Sequence, residues 1–222
     1  MTIKQYNPAA WMVAAALLLG ACAGAGGETQ AAAATATPTV GVVSPTPEDA
    51  RGALLAAMIR QQEAYPFRQS MTGTFAGCET FTGNSEYASA SAFHMTISAC
   101  GFDYEAILKD GQWYVKMTGG WQRLEPEFPL DITVPDVLEL ARNNLQAVTY
   151  APTDTLNGMS MTVYDYRVLT DDGTEMTGRA WVGAADGLPY QMTAGFLFEG
   201  HPANFTLTFE YGVPVTVEAP IP

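Results

Sequence analysis

The chain has 222 residues, 48% of them hydrophobic and 15% charged, with a formal charge of −13 at pH 7. Such acidity repels phosphate backbones and anionic headgroups, which excludes nucleic-acid binding and electrostatic adhesion to a membrane surface. A zinc site needs three or four Cys, His or carboxylate ligands at suitable spacing, and of three cysteines and two histidines too few stay free once Cys78 and Cys100 pair.

Lys4 precedes an apolar run from Trp11 to Leu19, with nothing acidic before it, and Leu19-Gly20-Ala21-Cys22 closes the run. A basic start, a short apolar middle and small residues at the cut are the layout of a secretory signal. Crossing a bilayer takes about 20 firmly apolar residues, and the glycines between Gly20 and Gly26 dilute this stretch. The tetrapeptide resembles the bacterial lipobox. That resemblance implies removal of residues 1–21, acylation of Cys22, and export. The anchor would lie on the outer face of the cytoplasmic membrane or in the outer membrane. Residues 22–45, rich in Ala, Gly, Thr and Pro, cannot repay the entropy of folding. They form a disordered tether with a typical span of about 25 Å. Residues 46–222 are expected to make one domain.

That domain opens with a helix. Thr46 is its cap and Pro47 its first residue, while Glu48 and Asp49 suit the positive end of its dipole. Leu54, Leu55, Met58 and Ile59 are expected to be its apolar stripe, and the helix should end near Tyr65. Most of the remainder alternates apolar and polar residues, as half-buried strands do. Residues 93–99, 102–108, 113–117, 159–168, 176–182, 190–198 and 205–211 all show it. Asp110-Gly111, Asp172-Gly173 and Asp186-Gly187 separate neighbouring runs and predict tight hairpins. A second helix is expected from Val134-Pro135-Asp136, with Val137, Leu138, Leu140, Ala141 and Leu145 on its apolar side. Cys78 and Cys100 form an even pair that favours a disulfide, worth about 3 kcal/mol. The alternative is two free buried thiols. The fold class is α+β, built on one large, curved antiparallel sheet.

Several segments carry a further resemblance: Lys109-Asp110-Gly111-Gln112-Trp113-Tyr114-Val115 with Gly119-Gly120-Trp121, then Trp181-Val182-Gly183 with Asp186-Gly187-Leu188-Pro189, and the ending Tyr211 to Pro220. With these the domain resembles the LppX/LprG-type lipoproteins of the LolA/LolB-like superfamily. The resemblance implies a half-barrel whose concave apolar face is covered by helices and holds acyl chains of a lipid or lipoprotein. Strand parity then nominates the lining: Phe93, Met95, Ile97, Phe102, Tyr104, Trp113, Val115, Met117, Met159, Met161, Met192, Phe196, Phe205, Leu207 and Phe209. Methionines are prominent among them, and flexible thioethers suit irregular acyl chains.

No catalytic constellation emerges. His94 falls on the polar side of a strand and His201 in a loop, and no G-x-S-x-G elbow or P-loop is present. Asp103 and Glu105 share a strand face, but solvated acids on an acidic surface explain them more simply than a catalytic pair. No cofactor, metal or enzymatic activity is therefore expected. The expected function is a membrane-anchored acyl-chain carrier. The alternatives are a sensor or protein-interaction module on the same fold, as in RseB-type regulators, and a structural lipoprotein without ligand.

Overall fold

The structure, a computed structural model, describes residues 47–75, 78–124, 143–170, 173–198 and 200–221. The expected signal segment, Cys22, the expected tether and most of the expected second helix lie outside the described residues. Helix α1 (Pro47–Glu63) leads into six strands: β1 (Phe67–Phe75), β2 (Cys78–Ser89), β3 (Ala92–Ala99), β4 (Phe102–Lys109), β5 (Gln112–Met117) and β6 (Gly120–Arg123). Five more follow: β7 (Leu145–Leu156), β8 (Met159–Leu169), β9 (Glu175–Gly183), β10 (Pro189–Phe198) and β11 (His201–Tyr211). All join one antiparallel sheet, ordered β6-β5-β4-β3-β2-β1-β11-β10-β9-β8-β7. Two meanders run outward from a central pair, β1 and β11, and the sheet is a half-barrel left open at β6 and β7.

Turn chemistry sets the meander. Asp110-Gly111 joins β4 to β5 with both residues at positive φ (52° and 79°), as the sequence predicts. The same geometry recurs at Cys100-Gly101 and Asn157-Gly158. Asn157-Gly158 is an equally strong turn signal, and it starts the hairpin from β7 to β8.

The helix buries a different stripe from the one expected. Ala50, Leu54, Ala57 and Gln61, at i, i+4, i+7 and i+11, are buried, whereas Leu55, Met58 and Ile59 are only half-buried. Small alanines let the helix approach the sheet closely, and it packs against β7 and touches β10. Arg60 fastens it to the turn between β9 and β10 by donating from Nη1 to the Asp186 carbonyl at 3.1 Å. Leu145, assigned from sequence to the second helix, is instead the first residue of β7. His201, expected in a loop, opens β11.

The sheet face that meets α1 is the inner face and carries the main core. A second, smaller cluster lies on the outer face. There Val215, Val217 and Ile221 of the C-terminal segment pack over Ala92, Ile107, Tyr114 and Trp121. That strap explains why Ile107 and Tyr114 are apolar at outward-facing positions.

Candidate functional site

The inner face is organised in cross-strand rows. At one end Tyr211, Phe67, Tyr87, Phe93, Leu108 and Trp113 stand opposite one another in register. Their rings form a near-continuous ladder: Phe67–Tyr211 5.9 Å, Phe67–Tyr87 4.5 Å, Tyr87–Phe93 5.3 Å and Phe93–Trp113 5.2 Å between centroids. Toward the other end the row is Ala194, Phe205, Gly73, Phe81, Ala99 and Phe102. Phe205 meets Phe81 edge-on at 5.5 Å and stacks on Phe196 at 5.8 Å. Between these aromatic ends the face turns to small and flexible residues. One middle row reads Met192, Leu207, Met71, Gly83, Ile97 and Tyr104. The other reads Phe209, Gln69, Ser85, Met95, Ala106 and Val115.

Most residues nominated from sequence share this face. Phe93, Ile97, Met192, Phe205, Leu207 and Phe209 are buried in one cluster, with Met95, Tyr104, Trp113 and Phe196 packed against it. Val115 is buried beside Ala106, its cross-strand partner. Phe102 and Met117 have the same parity but are 49% and 54% exposed, at the end of the face. Met159 and Met161 are corrected. The register sets Tyr164 opposite Ala180 and Tyr166 opposite Gly178, so the inner side of β8 carries Thr162, Tyr164, Tyr166 and Val168. Met159 and Met161 fall on the opposite side with Val163. Met161 is fully buried there, and its burial does not make it part of the inner face.

Sequence parity missed the inner residues of β1, β2 and β7, among them Phe67, Met71, Tyr87 and Tyr150. The signal was present in β1, where Phe67, Gln69, Met71 and Gly73 alternate with Arg68, Ser70, Thr72 and Thr74. Glutamine and glycine at inward positions masked it. On β8 and β7 the tyrosines are neutral bodies with one polar end. Burial pushes Tyr164 up to about 12, with Tyr150 beside it adding to the rise. Burial also raises Tyr166, whose hydroxyl donates to the Thr193 carbonyl at 2.8 Å.

Away from its buried apolar patches the outer face is polar, and it accounts for the charged candidates. Glu105 is not paired with Asp103. It accepts from Lys116 Nζ at 2.7 Å and contacts His94 Nε2 at 3.0 Å. The Lys116 hydrogen bond is the main reason its carboxyl is held below the usual range, and His94 adds to it. An open basin of about 770 Å³ lies over β7 to β11, lined by threonines, Asn204, Arg167 and a bidentate Arg179–Asp165 pair. Ala147, Tyr166, Ala194 and Phe205 also line it. Among the described residues no group of three or more His, Cys, Asp or Glu side chains could hold a metal ion.

No known family model matches the chain, and no curated protein matches it in sequence. Solved structures do. LprF from Mycobacterium bovis matches with a TM-score of 0.51 at 14% identity, over 80% of this chain and 99% of that one. Mycobacterium tuberculosis lipoprotein LppX gives 0.46 at 14% identity, over 75% and 99%. A LolA superfamily protein from Nitrosomonas europaea gives 0.29 at 10% identity, over 74% and 94%. The likeness to LprF establishes the fold, and the resemblance to LppX/LprG-type lipoproteins holds at that level.

Proposed function

We propose that this protein binds acyl chains of a lipid or lipoprotein against the inner face of its half-barrel, acting as a carrier and not as an enzyme. The observation that carries this is the continuity of the apolar face. One cluster runs from Val148 on β7 to Leu108 on β4, and Phe102 and Met117 extend the same face into the open. Each sequestered CH₂ contributes about 0.8 kcal/mol, so one long chain gains on the order of 10 kcal/mol before the costs of binding. The anchoring belongs to the same proposal: export, removal of residues 1–21, acylation of Cys22, and a tether to residue 45 that lets a single domain stand off the membrane. So does a disulfide between Cys78 and Cys100. Its support is that Cys100 is disulfide-bonded and that β2 pairs with β3 with Phe81 opposite Ala99.

Native mass spectrometry of the full chain, followed by solvent extraction and lipid analysis, tests the carrier. The expected result is a stoichiometric, non-covalent lipid that is lost in Ile97→Arg. A bare protein that also refuses added fatty acids and phospholipids would overturn the proposal and turn attention to protein partners.

A further inference from the structure

Gln69 stands at the middle of the inner face on β1, one of the two central strands, and is 5% exposed. Phe67 and Met71 flank it along the strand, and Phe209 and Ser85 stand opposite it on either side. Among the described residues its Oε1 has no hydrogen-bond partner. Buried acceptors left unpaired are rare in folded proteins, because they lose water and gain nothing in return. A leucine here would cost the empty protein less. The buried stripe of α1 ends in Gln61, whose Nε2 also lacks a partner among the described residues.

We infer that Gln69 is a selectivity residue of the acyl site, its Oε1 accepting a hydrogen bond from a hydroxyl or amide N–H carried within the bound lipid. This rests on the acyl-binding proposal and narrows its ligand class. Hydrocarbon and simple esters have no donor to offer, so the site favours hydroxylated acyl chains or acyl amides over plain ones. Ser85 beside it is a second polar group in an otherwise apolar row.

The test is competition binding on the delipidated full chain. The probes are a set of monohydroxystearates, N-methylstearamide, stearate and methyl stearate. At least one hydroxylated or amide probe should bind about tenfold tighter than its plain counterpart, the size expected of one buried hydrogen bond. Gln69→Leu should erase that preference and melt at or above the wild-type temperature. Gln69→Met serves the same purpose if leucine does not fit. Equal affinities across the probes, or a preference that survives in the variant, would overturn the inference alone. A lower melting temperature in both variants would do so too, since Oε1 would then be holding the fold, for instance through a trapped water. Failure of the wild type to bind any probe would overturn the acyl-binding proposal as well.

Discussion

Gly83 lies on the inner face between Met71 and Ile97, in the middle of the sheet. Its backbone does not require glycine: it is absent from the residues with positive φ. A glycine inside a strand weakens it and often marks close approach by a ligand. A Cβ added there would meet Met71, with Cε at 3.3 Å and Cβ at 3.7 Å, and the Thr96 carbonyl at 3.6 Å. Gly83→Ala should thus be tolerated, since the methionine can shift by a few tenths of an ångström, and it should gain about 0.4–1 kcal/mol from a stiffer unfolded chain. Gly83→Leu separates a ligand cavity from a filled core. In a cavity, the leucine takes the room of about three ligand methylenes, or roughly 2.4 kcal/mol, which weakens acyl binding about 60-fold while the empty protein melts as before. In a filled core it overpacks, costing about 1–3 kcal/mol and lowering the melting temperature by several degrees. The assay is calorimetric titration with stearate beside a thermal melt. Thr82→Leu, one residue away on the outer face, is the control and should leave binding unchanged. Gly83→Leu binding within twofold of wild type, or Thr82→Leu weakening it equally, would refute the face assignment.

Other sites test the frame around that face. Gly178→Ala drives a Cβ into Tyr166 Cζ and the Thr193 carbonyl. The ring must then leave its hydrogen bond to Thr193, and a loss of about 2–5 kcal/mol is expected in urea denaturation; a loss under 1 kcal/mol would show that the ring does not depend on this glycine. Glu105→Gln should cost about 0.5–1 kcal/mol at neutral pH by removing the link to Lys116. Because the folded carboxyl is held below its ordinary value, its contribution is complete above the unfolded carboxylate range and is lost as pH falls through the lower folded value. The variant should therefore show a shallower acid limb in stability against pH, and identical limbs would contradict the pairing. Cys100→Ser should lose about 3 kcal/mol under oxidising conditions and nothing relative to wild type under full reduction; equal stability in both would argue against a structural cross-link.

Legibility in the sequence followed parity and turn chemistry. Where a strand was bounded by Asp-Gly and alternated cleanly, as in β4 and β5, its limits and inner residues could be read in advance. β1 and β2 escaped because their inward positions include Gln69, Gly73, Gly83 and Ser85. Hydrophobic periodicity presumes that buried means apolar, and these residues break that rule at the middle of the site. β7 escaped for a different reason: Leu145 continues a helical spacing in sequence, while pairing with Val168 draws it into the sheet. Tertiary pairing overrides local pattern there.

The error at Met161 has the same root. Alternation tells which residues of a strand share a side, but not which side faces in. On β8 both sides are buried near Met161: Tyr164 on one, Met161 and Val163 on the other. Only cross-strand register, Tyr164 opposite Ala180 and Met161 opposite Gly183, decides between them. The positions that broke the sequence pattern are also those that shape the inner face. Glycine, serine and glutamine at its centre weaken a packed core: Phe205 lies over Gly73, Met71 reaches Gly83, and Gln69 adds an unpaired acceptor among the described residues. Rules for a filled core therefore fail at the residues where the proposed binding face departs from one.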